Sequence, residues 1–296
     1  MKGLVPLGRI LLSGLLCLLW GIVASTAHAD DRFHKAIRLL TQVPTGQGLI
    51  QKALKLWSLS DARDLADTLK FGQASRTDTV LTRHFNPKTG KEEREREITV
   101  FLREDQTQME LVLDMAHELV HATSRPSFDP YDPSLTVGKY IFAAIEGEGG
   151  EVDAVIVECQ IGLELSKLAK VPVKRCESYQ SMTSSNELSF DREKVRRDFY
   201  RVGDWKAQLE KELKSEFGLF PLLSEKWPKL YSSTGHAPYP LALLREYQEI
   251  TELACDNSRI RMRSVESRNV DEALDQDRKV LTAQQDIQQF LLKRCN

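Results

Sequence analysis

His117, Glu118 and His121 are the residues of this chain whose types and spacing could do chemistry. They form an H-E-x-x-H within Thr107–Ser124, TQMELVLDMAHELVHATS. On a helix, side chains four positions apart lie one above the other, so two imidazoles can close on one metal ion while Glu118 reaches a water beside it. The segment also predicts its own helix. Thr107 and Glu110 make a T-x-x-E capping box, and Arg125 before Pro126 marks the end, because a residue preceding proline is steered out of helical geometry. Leu111, Val112, Met115, Ala116, Leu119 and Val120 make most of the circumference apolar. Asp114, His117, Glu118 and His121 then form one polar stripe at i, i+3, i+4 and i+7. Ionisable groups on an otherwise buried helix are costly unless paired, and shared metal ligation satisfies them together. Two ordinary core histidines are the competing reading.

A catalytic zinc usually has three protein ligands, so a third must come from elsewhere. The extended pattern H-E-x-x-H-x-x-G-x-x-H is excluded, since positions 124 and 127 are Ser124 and Ser127. The nearest acidic segment downstream is Glu146-Gly147-Glu148-Gly149-Gly150-Glu151-Val152-Asp153-Ala154, leading into a helix expected to run to about Leu168. Glu146, Glu148 and Glu151 are the candidate third ligands it offers. Some of these acids would in any case suit the first turn of a helix.

With H-E-x-x-H followed by Glu151-Val152-Asp153-Ala154, an E-x-x-A, residues 77 to 168 resemble the glutamate-ligand branch of the zincin metallopeptidases. The resemblance implies one catalytic Zn2+ held by His117, His121 and Glu151, the preferred third ligand, with Glu148 and then Glu146 as alternatives. It also implies a protein or peptide substrate, and hydrolysis with Glu118 as general base. It further implies that a downstream His or Tyr, here His236 or Tyr239, donates a hydrogen bond to the oxyanion, and that an antiparallel strand borders the cleft. Val155 stands where that branch often has Asp, so the carboxylate behind a ligand histidine would be Asp153, Asp114 or Glu158. Two other functions fit the same residues: a catalytically inactive scaffold on this fold, and a zinc hydrolase acting on a non-peptide amide.

The elements that must position these groups are mainly helical. Leu49, Leu54, Leu56 and Trp57 mark one helix, and Ser60 to Leu69, with Gly72 just beyond, predicts another. Thr79–Phe85 and Glu97–Leu102 read as strands around a turn with Pro87 and Gly90, and the charged run Lys91–Glu97 reads as a solvated stretch. Glu187–Phe217 predicts an amphipathic helix or helix pair broken near Gly203. The apolar loop Gly218–Tyr231 is expected to pack on the core, Trp227 included. Leu241–Asn257 and Asp271–Cys295 predict two closing helices. The expected fold class is α+β, predominantly helical: a zincin-like core with a small antiparallel β-element at 30–182, and a helical C-terminal lobe at 183–296.

The chain has 296 residues, 41 basic and 43 acidic, and no basic stripe that would suit nucleic acid. Lys2 and Arg9 precede an apolar run from Ile10 to Ala24 and an Ala27-His28-Ala29 site, which predicts a signal peptide over 1–29 and an exported, periplasmic or extracellular protein. The apolar run is too short for a comfortable membrane span. Cys159, Cys176, Cys255 and Cys295 remain, and an oxidising compartment favours pairing them. Cys159–Cys176 and Cys255–Cys295 are the preferred pairs, each tying a helix to the segment that follows it.

Overall fold

The computed structural model describes residues 31–86, 91–126, 128–169, 174–220, 222–233, 237–266 and 285–295. The expected signal peptide, the turn at 87–90 and His236 lie outside the described residues. The chain opens with helix α1 (31–40) and helix α2 (Pro44–Leu56). Pro44 starts α2, where its missing N–H leaves no bond unmade. A 3-10 turn, Ala62–Thr68, follows, capped by the Asp61 side chain on the Arg63 N–H. The helix expected to reach Leu69 is therefore shorter than its pattern suggested. Leu69 opens strand β1 (Leu69–Gly72), which pairs in parallel with strand β3 (Lys91–Arg103), placing Leu69 opposite Val100. A few apolar residues fit either period, and the open edge of β3 decides.

Strand β2 (Arg76–Asn86) pairs antiparallel with β3 along its whole length, giving a three-stranded mixed sheet in the order β1-β3-β2. The added parallel strand corrects the purely antiparallel expectation. The charged run 91–97 is strand rather than open coil: the ribbon outruns the core, so water can solvate it while cross-strand pairs such as His84 with Glu93 (2.9 Å) support it.

Helix α3 (Gln108–Ser124) carries both bonds of its capping box: the Glu110 N–H donates to Thr107 Oγ1 at 3.3 Å, and the Thr107 N–H donates to Glu110 Oε2 at 2.8 Å. Helix α4 (Val137–Ile145) leads to helix α5 (Glu151–Ala169), which packs against α3. Strands β4 (Gln180–Met182) and β5 (Leu188–Phe190) form a short hairpin before helices α6 (Arg192–Phe199) and α7 (Lys206–Leu213). The helix or helix pair expected from Glu187 is thus preceded by strand, and its expected break falls at Gly203, whose φ of +56° suits glycine. Helix α8 (Tyr239–Glu266) runs beyond the expected Asn257, and helix α9 (285–294) closes the chain.

The core has two large apolar clusters, one around Leu40, Leu111, Met115 and Leu119, the other around Ile141, Phe199, Tyr200 and Leu241. Helix α5 joins them, giving Ala154, Ile161 and Leu165 to the first and Val152 and Cys159 to the second. Trp227 is 72% exposed, against expectation, because Phe220 and Leu223 are the residues that anchor its loop in the core. Disulfides join Cys159 to Cys176 and Cys255 to Cys295, the pairings the sequence favoured. Two such bonds indicate an oxidising, non-cytoplasmic compartment. No described helix is long and apolar enough to cross a membrane.

Candidate metal site

The α3–α5 contact brings His117, His121 and Glu151 together, with one ligand atom of each within 4.8 Å of the others. Glu151 begins α5, and Ala154, one turn on and fully buried, leaves room for α3 to approach. The Glu151 carboxylate spans both rings: Oε2 lies 3.3 Å from His117 Nε2, and Oε1 lies 3.5 Å from His121 Nε2. Glu148 is exposed, and Glu146 is turned away, held by Arg196 and by the Tyr200 hydroxyl at 2.6 Å.

The opposite edges of the rings fix which nitrogens face the centre. His121 Nδ1 lies 2.8 Å from the Gly149 carbonyl, which can only accept, so Nδ1 carries the proton and Nε2 offers its lone pair. His117 Nδ1 lies 3.1 Å from Glu158 Oε2, an acceptor of the same kind when ionised. Two imidazole lone pairs and a carboxylate therefore converge on one point, where only a cation can satisfy all three. A metal ion fits that donor set, and two nitrogens with one carboxylate do not by themselves choose among the first-row divalent metals.

Without a metal, protons supply the charge. Burial pushes the His117 pKa down, but hydrogen bonds to Glu151 and Glu158 and the nearby carboxylates prevail and raise it well above 6.5. Burial likewise opposes ionisation of Glu151, and the His121 charge with the bonds to both histidines prevails, holding it far below the usual carboxylate range.

Glu118, buried next to the triad, is held from the sheet. Thr77 Oγ1 on β2 lies 2.8 Å from Glu118 Oε2 and 2.9 Å from its backbone carbonyl. Burial raises the Glu118 pKa against the lowering effect of both histidines and of Thr77. Tyr239, the first residue of α8, lies close enough to Glu151 and Glu118 to feel both charges, and its ring meets Phe199 edge-on at 4.7 Å. Burial, then the charges of Glu151 and Glu118, push its pKa well above 10.0, so it stays a proton donor. His84 pairs with Glu93 far along the ribbon.

Three supporting residues escaped the sequence reading. Thr77 had no recognisable pattern. Gly149 has a φ of +64°, and a Cβ there would stand 2.4 Å from the Arg125 nitrogen, so only glycine can aim this carbonyl at His121. The doubled glycine before Glu151 was the available signal. Arg175 Nε lies 2.8 Å from Glu158 Oε1, and its NH1 lies 2.5 Å from Asp114 Oδ1, while the Ser75 hydroxyl donates to Asp114 Oδ2 at 2.5 Å. Of the three carboxylates considered behind the histidines, Glu158 is the one in contact. Asp114 reaches Arg175, and Asp153 braces the glycine loop by accepting from the Gly149 N–H at 2.9 Å. The Cys159–Cys176 bond joins the neighbours of Glu158 and Arg175 in sequence, pinning that ion pair behind His117.

Comparison of this chain with protein-family models, with curated proteins and with solved structures found no match.

Proposed function

We propose that the protein is an exported zinc metallopeptidase that hydrolyses peptide bonds on a zincin-like core. The observation that carries this reading is the pairing of a converged His117–His121–Glu151 donor set with a separate buried carboxylate, Glu118, next to it. A purely structural metal site has no need of Glu118, which speaks against the inactive scaffold. Zinc suits two imidazoles and a carboxylate, and when bound it supplies Lewis acidity to water and to the substrate carbonyl.

The chain's own residues do the rest. Glu118, positioned by Thr77, takes a proton from the attacking water and delivers it to the leaving amine. Its burial raises its proton affinity, which suits a group that must accept a proton and return it. Tyr239, kept protonated by its surroundings, offers its hydroxyl proton to the developing oxyanion. His236 is the other residue proposed for this oxyanion role. Glu158 and the Gly149 carbonyl hold the two imidazoles in the tautomer that leaves both Nε2 atoms free.

The test compares zinc content by elemental analysis with hydrolysis of a peptide panel, for the protein and for Glu118→Gln. The expected result is one zinc in each, with activity reduced roughly 100-fold or more in Glu118→Gln, as loss of a general base requires. A protein that takes up no zinc, or a Glu118→Gln variant that keeps full activity, refutes the proposal.

A further inference from the structure

The ribbon of β2 and β3 extends past the triad, and its face toward α3 carries a group of arginines. In an antiparallel pair, opposed residues share a face and side chains alternate between faces. Thr77 is opposite Val100, Leu81 opposite Arg96, and Arg83 opposite Arg94. Val100 is fully buried in the cluster that holds α3, and Thr77 reaches Glu118, so Arg96, Arg94 and Arg83 lie on the side of Glu118. Contacts agree with this. Arg94 pairs at 2.8 Å with Asp129 in the loop after α3, and the Arg83 guanidinium lies 3.9 Å from the Tyr131 ring centroid.

Arg125, just past the end of α3 and one turn beyond His121, completes the group, with its guanidinium 5.8 Å from the Phe128 ring centroid. Arg96 Nε and Arg125 Nε are both shielded from water and have no hydrogen-bond partner among the described residues. Burial, then the Arg125 charge, lowers the Arg96 pKa. Partly buried like charges with unused donors are costly, and an arginine fork matches a carboxylate.

We propose that Arg96 and Arg125 form a subsite for an acidic side chain of an extended peptide substrate, an assignment that rests on the peptidase reading above. From Thr77, which holds the base, to Leu81, opposite Arg96, is four strand residues, or about 13 Å at roughly 3.3 Å per residue. An extended peptide rises at the same rate, so the recognised carboxylate sits about four residues from the scissile bond.

The test uses labelled peptide hydroxamates, whose metal-binding end fixes the register, with a single Glu placed one to six residues away in either chain direction and matched Gln peptides as controls. Binding to the zinc-loaded protein is read by fluorescence anisotropy, which needs no turnover. The expected result is an affinity gain for Glu over Gln of about ten-fold near the fourth position, the scale of a hydrogen bond to a charged group. The gain disappears in Arg96→Gln, shrinks in Arg125→Gln and is partly kept in Arg96→Lys, each checked for unchanged melting. Hydroxamate binding with no Glu preference at any position, or a preference that survives in Arg96→Gln, overturns the subsite alone. Matched Gln peptides that fail to bind overturn the metallopeptidase reading, and the subsite with it.

Discussion

Replacing Glu158 tests whether the network behind His117 sets the affinity of the metal site. Glu158 is 2% exposed and touches two groups: His117 Nδ1 at 3.1 Å and Arg175 Nε at 2.8 Å. Glu158→Gln keeps an oxygen that can accept from His117 but removes the charge, so the ring orientation survives and the imidazole becomes a weaker donor to the metal. An outer partner of a metal-bound histidine is worth roughly 10- to 100-fold in metal affinity, and the conservative amide should fall at the lower end, with Glu158→Ala at the upper. Fold stability should suffer less than for a fully buried pair, where removing one partner costs about 3–5 kcal/mol. The Arg175 side chain is 49% exposed and keeps Asp114 at 2.5 Å, so its charge is not stranded. The assay is competitive zinc titration against a chromophoric chelator, with melting curves for the same proteins. Arg175→Met should weaken zinc by less than Glu158→Gln, and the double variant by less than the product of the two, since both act through one contact. Unchanged zinc affinity in Glu158→Ala, with the fold intact, refutes the network.

Four further outcomes follow from the same geometry. Metal binding requires neutral imidazoles, so zinc affinity should fall as pH drops through the raised His117 pKa, and zinc uptake in weak buffer should release protons. The metal-free protein should show the opposite trend in stability. A raised histidine pKa contributes stability that is complete below the unfolded value of 6.5 and is lost as pH rises through the folded one, so melting in chelator should fall above neutrality; a flat profile contradicts this. Gly149→Ala forces a left-handed backbone on alanine and drives its Cβ to 2.4 Å from the Arg125 nitrogen; melting should drop by several degrees and zinc affinity at least ten-fold as the His121 contact is displaced. Replacing Cys159 and Cys176 together with Ser opens a short loop, with a sequence separation of 17, at a cost of about 3 kcal/mol in unfolding experiments; it should weaken zinc as well, because Arg175 is then free to leave Glu158.

What the sequence made legible is what acts locally. The boundaries of α3 follow from a capping box and a proline, both within reach of their own backbone, and the shared face of His117, Glu118 and His121 follows from helical period alone. The choice of Glu151 rested on the E-x-x-A resemblance, and the structure puts α3 and α5 in contact with Ala154 fully buried. Beyond that, sequence distance defeats inspection. Thr77 stands 41 positions before the Glu118 it holds, and Arg175 acts on Glu158 because a disulfide beside it folds the chain back. β1 was hidden for the related reason that Leu69 satisfies a helical or an extended pattern equally, and pairing with Val100 decides between them. Glu146, Glu148 and Glu151 look interchangeable in a row of glycines. They separate only when Arg196 and Tyr200, from α6 and the residue after it, claim Glu146, while solvent takes Glu148. The candidate third ligand is thus selected by the partners of its competitors, and an Arg196→Ala, Tyr200→Phe variant that freed Glu146 would not move it into the site, because Gly149 fixes the loop between them.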